Sequence, residues 1–521
     1  MKKIHIIGFL ILTMMGTSCS DYLDVNTNTN QATSVSPELV MPQAIAATAL
    51  VLNGYNTYGM QTAGYAANAG GYGGFNETVT YNYNSSNYSG LWPTTYDNLE
   101  DFQYIIDQTE GDENYSYFNA TAKIMKAHGF QLLVDAYNSV PYSEALKGAN
   151  LLTPKYDDPS AVYADLASQL DIAIATINSA VAKDEAGATI KELGSADILF
   201  AGDLDKWKQL ANTIKLRLIV RATGKATFAS TAFDAVGFLD SDALINPGYT
   251  RDVARQNPKW ESWGFGYTGS AANKAWIPTT YVLGFYNGGK LKDEGRGAAT
   301  FYQFPSTGSN QLGYENTGVP SSPTGGFWYP SANRTGTTAG DATGVLKGAD
   351  AGYPLITAAE SYFLQSEAVV RGLITTGVAK TLFESGITAS FDYLYQLPDG
   401  TLDGDPVADS KKYLTENPTS YLVNFALATT EAQKIEAIIT QKYIAMNMVD
   451  SQEGWNEYRR TGYPSVSGTT ARGTFASIVS QSPRADRLPT RVLYPSSEAS
   501  YNAANAPGGI SSFTSLIFWA K

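Results

Sequence analysis

Apolar residues recur at helical spacing along most of the chain and lose that spacing in two windows. Pro37, directly after Ser36, suits a first helical position and predicts a helix over 37–50. Further helices are predicted over 92–106, 117–137, 162–181, 203–221, 355–371, 381–395 and 431–448. The clearest stripe is Trp207, Leu210, Ile214 and Leu218, with Asp203 or Asp205 as its N-terminal cap. Leu166, Leu170, Ile174 and Ile177 form another, and Ile435, Ile439, Tyr443 and Met446 a third. Neighbouring helices joined by short turns predict a mostly α fold of tetratricopeptide-like pairs, without a strict repeat in sequence. The tail over 484–521 is irregular, and its apolar residues from Phe513 to Trp519 are expected to dock on the body.

The two interruptions differ from ordinary linkers. Over 64–90, sixteen of 27 residues are Gly, Asn or Tyr, and Glu77 alone is charged. Over 258–334 there are thirteen glycines, six prolines and four of the eight tryptophans. Solvated linkers are poor in aromatics, so both windows are expected to be ordered loops on one face of a single helical scaffold.

Charge and rare residues narrow the chemistry. The chain has 521 residues and a net charge of -13, which argues against a nucleic-acid partner. There is one cysteine, Cys19, and there are two histidines, His5 and His128. No intrachain disulfide and no Cys/His zinc site can form from these. Nucleophile-elbow, zinc-protease, phosphate-loop and dinucleotide signatures are absent, so no catalytic residue is assigned. His128 reads as a satisfied structural histidine. Asp403 and Asp405, in an acidic turn, could hold a structural Ca²⁺ but lack EF-hand spacing; no other metal or cofactor is expected.

The N-terminus supplies an address. Lys2 and Lys3 precede an apolar run, then Gly16, Thr17 and Ser18 lead to Cys19. Residues 1–18 read as a secretory leader and Cys19 as the acylated first residue of a lipoprotein, with 19–36 a tether and 37–521 one domain. Sugar rings stack their C–H faces on aromatic rings, while Asn and Arg bond their hydroxyls. Tyr72, Tyr83, Trp260, Trp263, Trp276, Trp328 and Tyr329 are the expected stacking platforms, and Asn68, Asn76 and Arg296 the expected hydrogen-bonders. Large aromatics also pin loops to a core, and peptides dock on similar surfaces, so the ligand class stays open.

A set of short segments, in order, carries a resemblance. They are Val140-Pro-Tyr-Ser-Glu-Ala145, Pro154-Lys-Tyr-Asp157, Gly202-Asp-Leu-Asp-Lys-Trp207, Ala359-Glu-Ser-Tyr-Phe-Leu-Gln-Ser-Glu-Ala368, Glu453-Gly-Trp-Asn-Glu-Tyr-Arg-Arg-Thr-Gly-Tyr-Pro464 and Arg491-Val-Leu-Tyr-Pro495. In these the chain resembles the SusD/RagB family of nutrient-binding outer-membrane lipoproteins, in its second SusD-like branch. The resemblance implies a helical body with a loop-built ligand face, anchored by lipid in the outer membrane and facing outward. It also implies a TonB-dependent, SusC-like transporter as partner and a non-enzymatic role in capturing oligosaccharides, or in some members peptides. A lipid-anchored glycoside hydrolase is the remaining alternative. The quoted motifs read as structural, with Arg459 and Arg460 expected to pair with carboxylates and helix-end carbonyls.

Overall fold

Pro37 opens the first helix, α1 (Pro37–Thr62), which runs twelve residues past the expected end at Leu50 because Tyr55, Tyr58 and Met60 continue its buried face. The computed structural model describes residues 35–315, 326–329 and 343–521. The expected leader, tether and acylated Cys19 lie outside the described residues. After α1 come β1 (Ala66–Asn68), α2 (Asn76–Thr80), α3 (Leu91–Thr109), α4 (Ser116–Tyr137), α5 (Pro159–Glu185) and α6 (Leu204–Arg221). The loop-rich middle holds β2 (Ala243–Ile245), α7 (Pro258–Trp263), β3 (Trp276–Pro278), α8 (Thr280–Leu283) and α9 (Glu294–Thr300). Then follow β4 (Tyr353–Ile356), α10 (Ala358–Val370), α11 (Ala379–Tyr395), α12 (Pro406–Glu416), α13 (Glu431–Met446), α14 (Ser451–Thr461) and α15 (Ser496–Tyr501).

The long helices pack against one another, and their contacts close into a circuit. Helix α1 lies against α3, α3 against α4, α4 against α5, α5 against α6, and α6 against α10. Helix α10 packs on α11 and α13, α13 on α14, and α14 returns to α1. Asp203 caps α6 by accepting a bond from the Lys206 amide at 3.0 Å, as expected, and Trp207 is fully buried. The expected helix over 355–371 begins later, at Ala358. Tyr353–Ile356 instead pairs antiparallel with β2, and Thr357 accepts from the Glu360 amide to start the helix.

Inside the circuit sits a buried network of charges. Arg221 on α6 pairs with Asp135 of α4 and Glu453 of α14. Lys442 on α13 lies 2.9 Å from Glu457, 3.3 Å from Glu453 and 3.2 Å from Glu360 of α10. Arg460 makes a two-pronged bond to Glu367 on α10, both at 2.7 Å. Burial opposes ionisation of Glu453, but Arg221, Arg217 and Lys442 together hold its carboxyl well below the ordinary range. The tail closes on the same centre, with the Trp519 indole donating to Asp135 at 2.9 Å. Arg459 reaches the Thr490 and Asp135 carbonyls at 3.1 and 2.8 Å. Arg460 on carboxylates and Arg459 on carbonyls take the partners expected of them.

His128 lies beside it, buried as a structural residue. Burial, and then the nearby Arg217, lower its pKa to about 3, so the folded protein holds it neutral. An unfolded chain binds that proton near the ordinary value of about 6.5. Position 128 therefore costs stability as pH falls from about 6.5 toward 3, by up to about 1.4 kcal/mol per pH unit. Urea denaturation of wild type and His128→Phe at pH 7 and pH 5 measures this: the wild type should lose ground on the variant at the lower pH.

Candidate functional site

The loop face is organised on a ribbon of two short strands. Ala66, Ala67 and Asn68 of β1 pair antiparallel with Pro278, Ile277 and Trp276 of β3. The two alanines are fully buried and let the ribbon lie flat on the core. The ladder continues one step, with the Ala69 amide on the Ala275 carbonyl at 2.8 Å. Then Gly70-Gly71-Tyr72-Gly73-Gly74 leaves the body. Gly71 and Gly74 have φ of 83° and 88°, which favours glycine, and no atom lies within 4 Å of where their Cβ would stand. Phe75 brings the chain back, edge-to-face on Trp276 at 5.1 Å. Tyr72, at the tip, is 40% exposed.

Asn68 is 0% exposed and anchors a second loop. Its side-chain oxygen accepts from the Gly313 amide at 2.7 Å. Its amide nitrogen donates to the Tyr314 carbonyl at 3.1 Å and to Oε1 of Glu315 at 3.2 Å. The Asn310 side chain adds bonds to the Asn68 and Tyr314 carbonyls at 2.8 and 2.9 Å. Gly313, with φ of 83°, passes so close to Ser477 and Val479 that a Cβ would come within 2.4 Å of the Ser477 hydroxyl oxygen. This fixed turn leaves Tyr314 45% exposed. A third exposed ring, Tyr267 at 48%, stands on a tight turn between the bridged residues Phe265 and Ala271, just before β3. Replacing Asn68 with Ala should strand the Gly313 amide and cost about 1–3 kcal/mol. Denaturant midpoints measure the loss, and accelerated hydrogen exchange at Gly313 locates it.

The other expected platforms are corrected by this arrangement. Trp260, Trp263, Trp276, Trp328 and Tyr329 are all buried. Trp263 packs edge-to-face on Trp328 at 5.9 Å, and Trp260 on Tyr329 at 5.6 Å, with Phe265 completing the second cluster. Tyr83 is buried too, edge-on to Tyr88 at 5.4 Å. Such rings gain more from the core and from each other than from water, and here they pin the loops down. Arg296 is fully buried: its Nε bonds Asp293 at 2.6 Å and its guanidinium lies over Phe391 and Tyr413. It is a structural residue, as is Asn68. Of the expected binding residues, Tyr72 and Asn76 are exposed, Tyr72 at the tip of the glycine loop and Asn76 four residues on, at the start of α2. Asp405 caps α12 by accepting from the Val407 and Ala408 amides at 3.1 and 2.9 Å. Among the described residues no three His, Cys, Asp or Glu side chains converge as metal ligands.

Tyr267 and Tyr314 were not legible as site residues from composition. Tyr72, Tyr267 and Tyr314 each follow a glycine and have a small or polar residue next, in Gly71-Tyr72-Gly73, Gly266-Tyr267-Thr268 and Gly313-Tyr314-Glu315, whereas Tyr501, the fourth exposed ring among the described residues, ends α15 between Ser500 and Asn502. Local sequence alone does not separate them from buried rings, since Tyr65 in Gly64-Tyr65-Ala66 and Tyr83 in Asn82-Tyr83-Asn84 are buried. Cavities lie elsewhere among the described residues, two of them lined by acidic groups. One of about 690 Å³, between α10, α11 and α12, is lined by Asp240, Asp242, Glu384 and Asp392. Burial pushes the Asp242 carboxyl up to about 6. The other, of about 410 Å³, is lined by Asp293, Tyr395, Asp403 and Lys412.

Family comparisons agree with the helical circuit and its motifs. Residues 29–242 match the SusD-like family model described as starch-binding and associating with the outer membrane. Residues 338–515 match the model of SusD and RagB outer-membrane lipoproteins. The chain belongs to the SusD/RagB family. Solved structures share the fold of this SusD/RagB protein along nearly their whole length. A SusD homologue from Bacteroides fragilis is 21% identical, with a TM-score of 0.64 over 94% of this chain and 100% of that one. A chitin-binding SusD homologue from Flavobacterium johnsoniae is 22% identical, with a TM-score of 0.66 over 92% of this chain and 98% of that one. A further SusD homologue, from Bacteroides vulgatus, is 19% identical, with a TM-score of 0.67 over 93% and 97% of the two chains. The comparison with curated proteins gives no match. Among the described residues no helix is long and apolar enough to cross a membrane.

Proposed function

We propose that this protein is an outer-membrane lipoprotein that binds oligosaccharides on its loop face and passes them to a TonB-dependent transporter. The observation that carries the reading is the set of three exposed tyrosines, Tyr72, Tyr267 and Tyr314, on loops flanking the buried β1–β3 ribbon. Flat rings held from a rigid frame lose little conformational freedom when a sugar stacks on them. The family descriptions, which name starch binding and outer-membrane lipoproteins, support the same reading. So does the chitin-binding homologue of the same fold. The lipid anchor rests on Cys19 after its apolar leader; Cys19→Ala should shift the protein from the membrane to the soluble fraction of cells.

Calorimetric titration with a panel of oligosaccharides and a protein digest tests the ligand class, while reducing-sugar assays run for hours on the same mixtures test turnover. Binding of one sugar class without release of reducing ends is the expected result. Response to peptides alone would replace sugar with peptide as cargo. Turnover would make the protein a hydrolase and overturn the binding-only role.

A further inference from the structure

Glu315 stands at the candidate face in an unusual setting for a surface carboxylate. It follows the exposed Tyr314, is itself exposed, and its Oε1 accepts a bond from Asn68, a side chain buried completely beneath it. The same Asn68 amide nitrogen bonds the Tyr314 carbonyl, and its oxygen takes the Gly313 amide. The backbone that carries the ring and the carboxylate itself are therefore held by one buried group, from a strand 247 residues away in sequence. A surface glutamate needs no such bond to be soluble, and an exposed chain ordinarily samples many rotamers. Fixing it one residue after an exposed ring suits a ligand that must stack and hydrogen-bond at once.

We propose that Glu315 is the hydrogen-bonding carboxylate of this face, positioned by Asn68, and that it selects uncharged sugars over acidic ones. The proposal rests on the oligosaccharide reading above and names the substrate class. A carboxylate only accepts, so it matches the hydroxyl donors of a sugar ring stacked on Tyr314, and such charge-assisted bonds are stronger than neutral ones. The same charge repels a uronate or sulfate brought to the ring, in a chain already carrying a net charge of -13. Rejection by like charge is as much a part of specificity as attraction.

The test is calorimetry on wild type and Glu315→Gln. The probes are neutral malto-, cello-, xylo-, manno- and chito-oligosaccharides, with oligogalacturonides and alginate oligomers as acidic counterparts, at low and high salt. Wild type should bind a neutral sugar and bind the uronates at least about tenfold more weakly, a gap that narrows as salt screens the charge. Glu315→Gln, with an unchanged melting temperature, should lose about tenfold on the neutral sugar and gain on the uronates. A merely structural glutamate would show neither the salt dependence nor the opposite shifts. Uronates bound as tightly as neutral sugars, or no change in Glu315→Gln, would overturn the proposal and leave the oligosaccharide reading intact. Binding of no sugar at all would instead remove that reading, and this proposal with it.

Discussion

Arg221→Met should destabilise the protein by about 3–5 kcal/mol, most of the margin of an ordinary domain. Arg221 is buried and answers two buried carboxylates, Asp135 from α4 and Glu453 from α14. Methionine fills much of the space but leaves both acids without their shared cation. The cost is set by those stranded charges more than by the worth of the original pair, since burying two ions carries its own desolvation penalty. Adding Asp135→Asn and Glu453→Gln to Arg221→Met should therefore recover part of the loss. Urea midpoints of the single and triple variants measure both effects, and a single-variant loss below about 1 kcal/mol would show that the pairs are solvated.

Tryptophan and tyrosine substitutions should separate cleanly. Trp328→Ala removes a ring packed on Trp263 and should cost about 3–5 kcal/mol of stability. Tyr314→Ala removes a ring that is 45% exposed, so stability should change by less than about 1 kcal/mol. Oligosaccharide affinity should respond in the opposite sense. Tyr72→Ala and Tyr314→Ala are each expected to weaken binding by about tenfold or more, since truncating an aromatic anchor commonly costs upwards of 1–2 kcal/mol. Thermal denaturation and calorimetry on the same samples give the comparison. Strong binding by the tyrosine variants, or binding lost only in a well-folded Trp328 variant, would return the site to the buried cluster.

The two halves of the molecule were unequally readable in sequence for definite reasons. Helix α6 was legible because its apolar stripe and its Asp203 cap agree, and helices α4, α5 and α13 for similar periodicity. Helix α14 carries no such stripe. All eleven of its residues are buried, yet most are polar or charged, because they face the charge network instead of an oily core. Hydrophobic periodicity cannot find a helix of that kind; the family motif marked it without revealing its form. The binding face failed differently. Composition counts rings and cannot tell which way they point, so the expected platforms included tryptophans that the core takes in, while Tyr267 and Tyr314 stand exposed on the loop face. Asn68 was singled out for hydroxyl bonding, but its buried side chain bonds Gly313, Tyr314 and Glu315, partners about 245 residues away that no local pattern records.

A crystal structure of the protein with the tightest-binding oligosaccharide from the titration decides where the ligand sits. A sugar ring should lie face-on to Tyr314 or Tyr72, above the β1–β3 ribbon, with Trp263 and Trp328 still packed on each other. A sugar held in the acid-lined cavity between α10, α11 and α12, or stacked on an opened Trp260 cluster, would contradict that placement.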